Sequence, residues 1–419
     1  MCDKFYAVID LKCFFASVEC VERGWDPFTT NLVVADASRG KGALCLAISP
    51  ALKALGCKNR CRLFEIPGQI KYFIAPPRMK KYMEYSRKIV SIYLEYLSHE
   101  DIHVYSIDEC FLDITPYVLL YKLPPLEIVK LLMNQVYERT GICATAGAGT
   151  NMFLAKVALD VLAKHVPEHI AYLDEELFKE KMWRHRPITD IWNIGKGTAR
   201  RLEKFGVYDL YGVTRLQEAW LYKEFGVNAK FLIDHAWGRE TCTIKEIQSF
   251  VPKSQSLSNG QILFEDYAYE DALIILKEMV DNLSLSLVEK GLTTQGIGLS
   301  IGYSKDVVPP TGGTRRLSDR TDSYKTLATE FVNLFEETTY RDKPIRRVNI
   351  CFSNVDSKLY GINNLFEDYE ALAEEYSLQQ TIVRLKQKFG KNSVMKGFSY
   401  LDKATGLKRN KLIGGHNSE

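Results

Sequence analysis

The sequence predicts a multidomain protein of the mixed α/β type, α+β in its last third, and three observations carry that prediction. At 419 residues, 46% hydrophobic and 26% charged, the chain can fill roughly two to four cores. Short β-prone runs alternate with amphipathic helical patterns along its length. Carboxylates stand at the ends of apolar runs: Asp10 after Phe5–Ile9, and Asp108-Glu109 between Val104–Ile107 and Phe111–Ile114. Two like charges side by side at a core edge cost energy unless a cation neutralises them. A hard divalent ion such as Mg2+ takes carboxylate oxygens readily. The plain alternative is a solvated Asp-Glu turn.

Composition narrows the function classes. A net charge of +3 does not by itself announce nucleic acid. No stretch approaches the roughly 18 apolar residues of a membrane span, and Met1–Phe5 lacks a signal-peptide pattern, so a cytoplasmic protein is expected. Ten cysteines are scattered without a C-x-x-C pair, Cys57 and Cys61 coming nearest, which argues for reduced thiols and against a zinc site. His165 and His169 are separated by Pro167, which spoils a helical metal face and leaves them as surface histidines.

In chain order, Phe5–Ile9 reads as a buried strand running into Asp10, with Leu11–Glu19 entering a helix. A carboxylate at the C-terminal end of a strand is a common place for chemistry in mixed α/β proteins. If its strand neighbours the one after Asp108-Glu109, the three carboxylates could hold two metals about 3.5–4 Å apart, as in-line phosphoryl transfer requires. Phe14 and Phe15 read equally well as core. Leu32–Ala35 and Leu44–Ser49 are strands, and Ser49–Gly56 a short helix with Pro50 in its first turn. Gly40-Lys41 and Gly195-Lys196-Gly197 both fail as phosphate loops, because Ala35 and Asp190 stand where the first glycine belongs.

Asp10-x-x-x-Phe14-Phe15-Ala16-Ser17-Val18-Glu19 and Ser106-Ile107-Asp108-Glu109-x-Phe111-Leu112-Asp113 resemble the two palm motifs of Y-family translesion DNA polymerases, in the same order and at similar separation. The wording Ala-Leu-Lys-Ala-Leu-Gly at 51–56 is similar to the UmuC-like branch, and Arg409–His416 resembles the tails of its Gram-positive members. The resemblance implies a right-hand polymerase: a ferredoxin-like palm (1–19 and 76–167), small fingers (20–75), a helix-hairpin-helix thumb (168–240), a βαββαβ little finger (243–355) and a tail (356–419). It implies that Asp10, Asp108 and the Leu11 carbonyl bind two Mg2+ ions, for which Mn2+ can substitute, with Glu109 beside the primer 3′-hydroxyl. Phe14 and Phe15 are the implied aromatic nucleotide contacts, and Phe15 matches the aromatic gate against a 2′-hydroxyl. Lys53 takes the place of a triphosphate-binding arginine, as a point charge rather than a bidentate fork. Lys156 and Lys164 match the family's lysines near the nucleotide.

Further along, Pro125–Thr140 is an amphipathic helix and Cys143–Gly149 a strand of small residues that lets another backbone approach. Asn151 caps a helix expected to run unbroken to Lys164, with Lys156, Asp160 and Lys164 on one face. There an i,i+4 salt-bridge ladder is the simpler reading. Thr189–Leu202 reads as two short helices around Asn193–Gly197. Gly195 and Gly197 allow positive φ, free N–H groups at the following helix start can hold a DNA phosphate, and Lys196, Arg200 and Arg201 add cations nearby. Beyond about 243, strand and helix signals follow a βαββαβ order, with a turn over 306–313 and Arg315, Arg316, Arg320 and Arg346 or Arg347 offered to DNA from one sheet face. Leu365 and Phe366 end a stretch similar to a sliding-clamp-binding peptide.

The sequence thus points to DNA synthesis on primer–template DNA from dNTPs, with a sliding clamp and a UmuD-like accessory subunit as possible partners and no membrane. A nucleotide cyclase also uses palm-like carboxylates with two metals, but it needs no duplex grip. A DNA-binding scaffold with a dead palm would not need all three carboxylates.

Overall fold

The computed structural model describes residues 4–252, 254–305, 307–358 and 369–419. It divides into two compact units, Met1–Phe250 with His416–Glu419, and Val251–Gly415.

The first unit is built on a five-stranded sheet. β1 (Tyr6–Leu11) is apolar from Tyr6 to Ile9 because it is buried on both faces there. Ala7, Ile9 and Leu11 enter the main core, with α1 (Phe14–Val21) beside them, whereas Tyr6 and Val8 enter a smaller cluster on the opposite face. Between α1 and the next sheet strand comes a compact insert. Its sheet holds β2 (Leu32–Val34), β3 (Ala47–Ile48) and β4 (Phe73–Ala75) in the order β3-β2-β4, and α2 (Pro50–Ala54) follows β3. The strand expected over Leu44–Ser49 is shorter: Leu44 makes only an isolated bridge to Arg62. Ser49 caps α2 by accepting from the Leu52 amide, as a serine before Pro50 should.

After α3 (Met79–Leu94), the chain forms β5 (Ile102–Val104) and β6 (Glu109–Asp113), then α4 (Thr115–Tyr121) and α5 (Pro125–Thr140). β7 (Ala144–Gly149) and β8 (Ile170–Leu173) complete the sheet, ordered β5-β6-β1-β7-β8. β7 is made of small residues for a measurable reason. A Cβ on Gly147 would lie 2.1 Å from the Ala155 carbonyl oxygen and 2.2 Å from the Leu159 amide nitrogen. Asn151 does cap the following helix, through the Leu154 amide, but that helix is not uniform. α6 (Met152–Val157) widens into a π turn over Ala158–Leu162 and tightens to 3-10 at Ala163–His165, over the stretch that lies against Gly147.

Small helices follow: α7 (Glu175–Met182), α8 (Lys196–Glu203), α9 (Leu210–Thr214), α10 (Glu218–Phe225) and α11 (Ala229–Ala236), packed around Phe178, Leu202 and Leu221. α12 (Ile244–Ser249), which the sequence groups with the last domain, belongs to the first unit. Gln248 Nε2 donates to the His99 and Ile102 carbonyls at 3.2 and 3.0 Å, and Ile244 is buried under β1.

The second unit has the expected βαββαβ order: β9 (Gln255–Tyr267), α13 (Tyr269–Lys290), β10 (Leu292–Tyr303), β11 (Thr311–Thr321), α14 (Tyr324–Thr338) and β12 (Ile345–Ser357). The strands lie β11-β10-β12-β9, all antiparallel. Both helices cover one sheet face, where Ile297, Leu299, Ile301, Val348, Ile350 and Phe352 meet Leu276, Met279, Leu327 and Phe331. Gly312 and Gly313, expected in a turn, are already in β11, and Gly312 lies where a Cβ would come within 2.0 Å of the Leu299 carbonyl oxygen.

Residues 369–415 are part of this unit. α15 (Tyr369–Phe389) packs along α13, and Gln387 donates to Glu289. The buried Glu278 carboxylate accepts from the Thr405 amide at 2.9 Å and from the Gly406 amide at 3.0 and 2.9 Å. Arg409 donates to Gln261 and Asn259. Leu365 and Phe366 lie outside the described residues. Among the described residues, no helix is long and apolar enough to cross a membrane.

Candidate active site and nucleic-acid interface

Strand register brings the distant carboxylates together. β1 and β6 are antiparallel neighbours with Asp10 opposite Glu109, so the C-terminal end of one strand abuts the start of the other. Asp108 lies one residue before β6, and its carbonyl accepts from the Leu11 amide at 2.9 Å. Side chains alternate along a strand, so Tyr6, Val8 and Asp10 share a face, and so do Glu109 and Phe111 opposite them. That is the face α6 covers. Asp113 is structural, accepting from the Thr115 amide at 3.0 Å.

Charge in this corner is under-compensated. Burial pushes the Asp10 carboxyl up to about 7, Lys164 opposing the rise and Asp108 and Glu109 adding to it. Burial likewise raises Glu109, against the pull of Lys156. The Lys156 ammonium, 6% exposed, loses solvent too, but Glu109 and Asp160 hold it charged above its ordinary range. Its Nζ lies 2.7 Å from Glu109 Oε1 and 3.0 Å from Asp160 Oδ2, while Lys164 Nζ lies 2.9 Å from Asp160 Oδ1. The i,i+4 ladder therefore exists, yet its inner end is buried on a carboxylate of the site. Lys156 occupies Glu109 rather than standing open to a phosphate, whereas Lys164 is exposed.

The donor set suits a hard cation, since all its candidate ligands are oxygens and Glu109 Oε1 has no aligned hydrogen bond despite its burial. The carboxylates are not gathered into a cage. Among the described residues no group of three His, Cys, Asp or Glu side chains converges on one point, because Glu109 is turned to Lys156 and Asp108 accepts from Ser106 Oγ at 2.7 Å.

The two phenylalanines separate in role. Phe14, 3% exposed, is core, which corrects its reading as a nucleotide contact; it packs against Phe15. Phe15 is half-buried and stacks on Tyr82, centroids 4.4 Å apart and planes 15° apart. Tyr82 is fixed in turn: its hydroxyl donates to the buried Glu19, which Arg78 grips with two bonds of 2.9 Å and Arg23 also reaches. This support of the Phe15 ring was missed in the sequence, where Tyr82 is one of several tyrosines in an amphipathic helix. Lys53, on α2, is exposed beside the Cys13 thiol, whose pKa burial raises and Lys53 pulls back. His169 is half-buried, with Nε2 3.3 Å from Lys12 Nζ.

At the start of α8, Gly195 is the N-cap and no side chain caps the helix, so its first amides are left for another acceptor. Positive φ belongs to Asn193 (68°), not to the glycines. Gly195 and Gly197 serve by being bare: a Cβ on either would meet nothing within 4 Å, and both are exposed. Lys196 and Arg200 are exposed nearby, while Arg201 is tied to Glu224 at 2.7 Å.

One expected DNA contact is overturned. Arg315 lies on the helix side of its sheet, bonded to Glu330 at 2.9 Å and to Glu337 of α14. Adjacent residues of a strand face opposite ways, so Arg315 and Arg316 cannot serve one face. Arg316 and Arg320 instead line a cavity of about 620 Å3 with Gln295, Asn354 and Ser254. Arg347 is exposed on β12 opposite Gly302, and Arg346 lies 3.6 Å from Asp266.

Residues 9–160 match the model described as the impB/mucB/samB family, and 254–363 match that family's C-terminal domain. A Bacillus subtilis (strain 168) protein named for UV-damage repair, UvrX, is 31% identical over 418 residues, covering 98% of this chain and 97% of the relative. A DNA polymerase IV 2 of the same organism is 29% identical over 423 residues, 99% of each chain. A solved Y-family DNA polymerase chimera of Dbh and Dpo4 superposes with a TM-score of 0.67 at 20% identity, over 84% of this chain and 99% of that one.

Proposed function

Since this chain belongs to the impB/mucB/samB family, the Y-family DNA polymerases, we propose that it is itself an active template-directed DNA polymerase that copies damaged templates. The observation that carries the reading is the cross-strand pairing of Asp10 with Glu109, with Asp108 adjacent, in a buried corner where lysines only partly compensate the carboxylate charge.

In the proposed reaction the primer 3′-oxygen attacks the α-phosphorus of a dNTP, a phosphorus–oxygen bond forms, and pyrophosphate leaves. Two Mg2+ ions, or Mn2+ in their place, would neutralise developing phosphate charge and acidify the 3′-hydroxyl when bound. Asp10, Asp108 and the Leu11 carbonyl would hold them, and Glu109 would stand nearest the attacking hydroxyl. Lys164 and Lys53 would draw the triphosphate electrostatically. The Phe15 ring, held flat by Tyr82, would fill the space of a ribose 2′-oxygen. The bare amides of Gly195–Gly197 with Lys196 and Arg200, together with Arg316, Arg320 and Arg347, would hold DNA through its phosphates without reading sequence. Arg315 has no part in that grip. A sliding clamp at Leu365-Phe366 and a UmuD-like subunit enter the proposal through the resemblance alone.

Primer extension with Mg2+ on undamaged and abasic templates tests this directly. Activity should vanish in Asp108→Ala and in Glu109→Ala, and a fully active form of either would remove the site assignment. Retained clamp pull-down by Leu365→Ala/Phe366→Ala would remove the tail contact.

A further inference from the structure

We propose that Glu109, Lys156, Asp160 and Lys164 form an ion-pair relay, through which phosphate captured by Lys164 frees Glu109 to turn toward a hard cation. This rests on the reading of the site given above. The four groups alternate acid, base, acid, base, with Lys156 Nζ at 2.7 Å from Glu109 and 3.0 Å from Asp160, and Asp160 at 2.9 Å from Lys164. The two inner members are each shared. A shared ammonium binds one carboxylate more strongly when the other is drawn away, and a shared carboxylate does the same between two ammoniums.

The two ends of the chain face different ligands. Glu109 is buried at the strand junction, while Lys164 is exposed and is the cation that most opposes the rise of the Asp10 carboxyl, which places it toward the same corner. A phosphate that takes Lys164 leaves Asp160 with Lys156 alone. Lys156 is then drawn toward Asp160, and its hold on Glu109 weakens. In reverse, a cation that takes Glu109 returns Lys156 to Asp160 and loosens Lys164 for phosphate. The coupling is reciprocal, as linkage requires. An exposed i,i+4 ladder would not behave this way, because solvent screens each pair. Here Lys156 and Glu109 are 6% and 8% exposed, so the inner pair is screened little. The π turn over Ala158–Leu162 sits inside the span of the relay and sets the backbone that carries Asp160. That the carboxylates of the described residues do not converge into a cage follows from the same contacts: the relay stands in its closed state, with Lys156 as the cation on Glu109.

The test uses the full chain and Mn2+ alone, followed by electron paramagnetic resonance without nucleotide or DNA. Lys164→Ala should tighten Mn2+ binding and Asp160→Asn should weaken it, each by about fivefold, the low end of couplings between sites. A through-space charge effect would give the same signs, so the double variant decides. In the relay, Lys164→Ala has no effect once Asp160 is Asn, whereas independent charges act additively. Additivity overturns the relay, and Asp160→Ala replaces Asp160→Asn if that protein does not fold. Asp10→Asn serves as the control. If it leaves Mn2+ affinity unchanged, the metal reading of the corner fails; if it abolishes binding while the cycle is additive, only the relay fails.

Discussion

Arg315 and Arg316 are sequence neighbours that the structure assigns to opposite faces of one sheet, and a pair of alanine substitutions separates them. Arg316 is exposed and lines the cavity it shares with Arg320, so Arg316→Ala should remove one phosphate contact. Each such contact contributes about 0.9 to the slope of log affinity against log salt on duplex DNA. A fourfold salt increase, from about 50 to 200 mM, should therefore cost the wild type about 3.5-fold more affinity than it costs Arg316→Ala. Arg315 is bonded to Glu330 and Glu337, with Glu337 58% exposed, so solvent discounts the pairs. Arg315→Ala should leave the salt slope unchanged and lower stability by about 1 kcal/mol, the upper range for surface pairs. In a unit of this size that corresponds to about 2–4 °C in Tm. Fluorescence anisotropy with a labelled primer–template at four or five salt concentrations, together with thermal melts, measures both. An equal loss of slope in the two variants would refute the assignment of faces.

Phe15→Ala should reduce discrimination against ribonucleotides by about 10–100-fold, read as the ratio of kcat/KM for dNTP and rNTP; unchanged sugar selectivity would remove the gate. Tyr82→Ala should loosen the same discrimination partially, by taking away the ring beneath Phe15, and a variant that selects as well as wild type would show the stack to be irrelevant. Glu278→Ala strands the Thr405 and Gly406 amides and should cost about 3 kcal/mol, with limited proteolysis cutting sooner after Lys396; an unchanged cleavage rate would show that Glu278 does not anchor Thr405 and Gly406. Gly147→Ala places a Cβ 2.1 Å from the Ala155 carbonyl oxygen. It should destabilise the protein by about 3 kcal/mol or more, visible in its melting temperature.

The sequence by itself determined what depends on local pattern. The apolar run of β1, the amphipathic face of α5, the Asn151 cap and the βαββαβ order are all written in residue spacing, and they reappear in the structure. The carboxylates Asp10, Asp108 and Glu109 were legible as strand-end charges, and resemblance supplied their grouping. What only the tertiary structure decided are the matters that depend on register and burial. Nothing local says that Asp10 lies opposite Glu109, since register arises from the pairing of segments about a hundred residues apart. Arg315 and Arg316 look equivalent as text, and the pleat separates them. Gly195 and Gly197 suggested positive φ, yet Asn193 takes it, because an uncapped helix start needs bare amides more than a left-handed glycine. Lys156 looked like a ladder rung or a phosphate ligand. Burial against the carboxylate corner makes it the countercharge of Glu109, since a desolvated acid holds the cation that packing places nearest it.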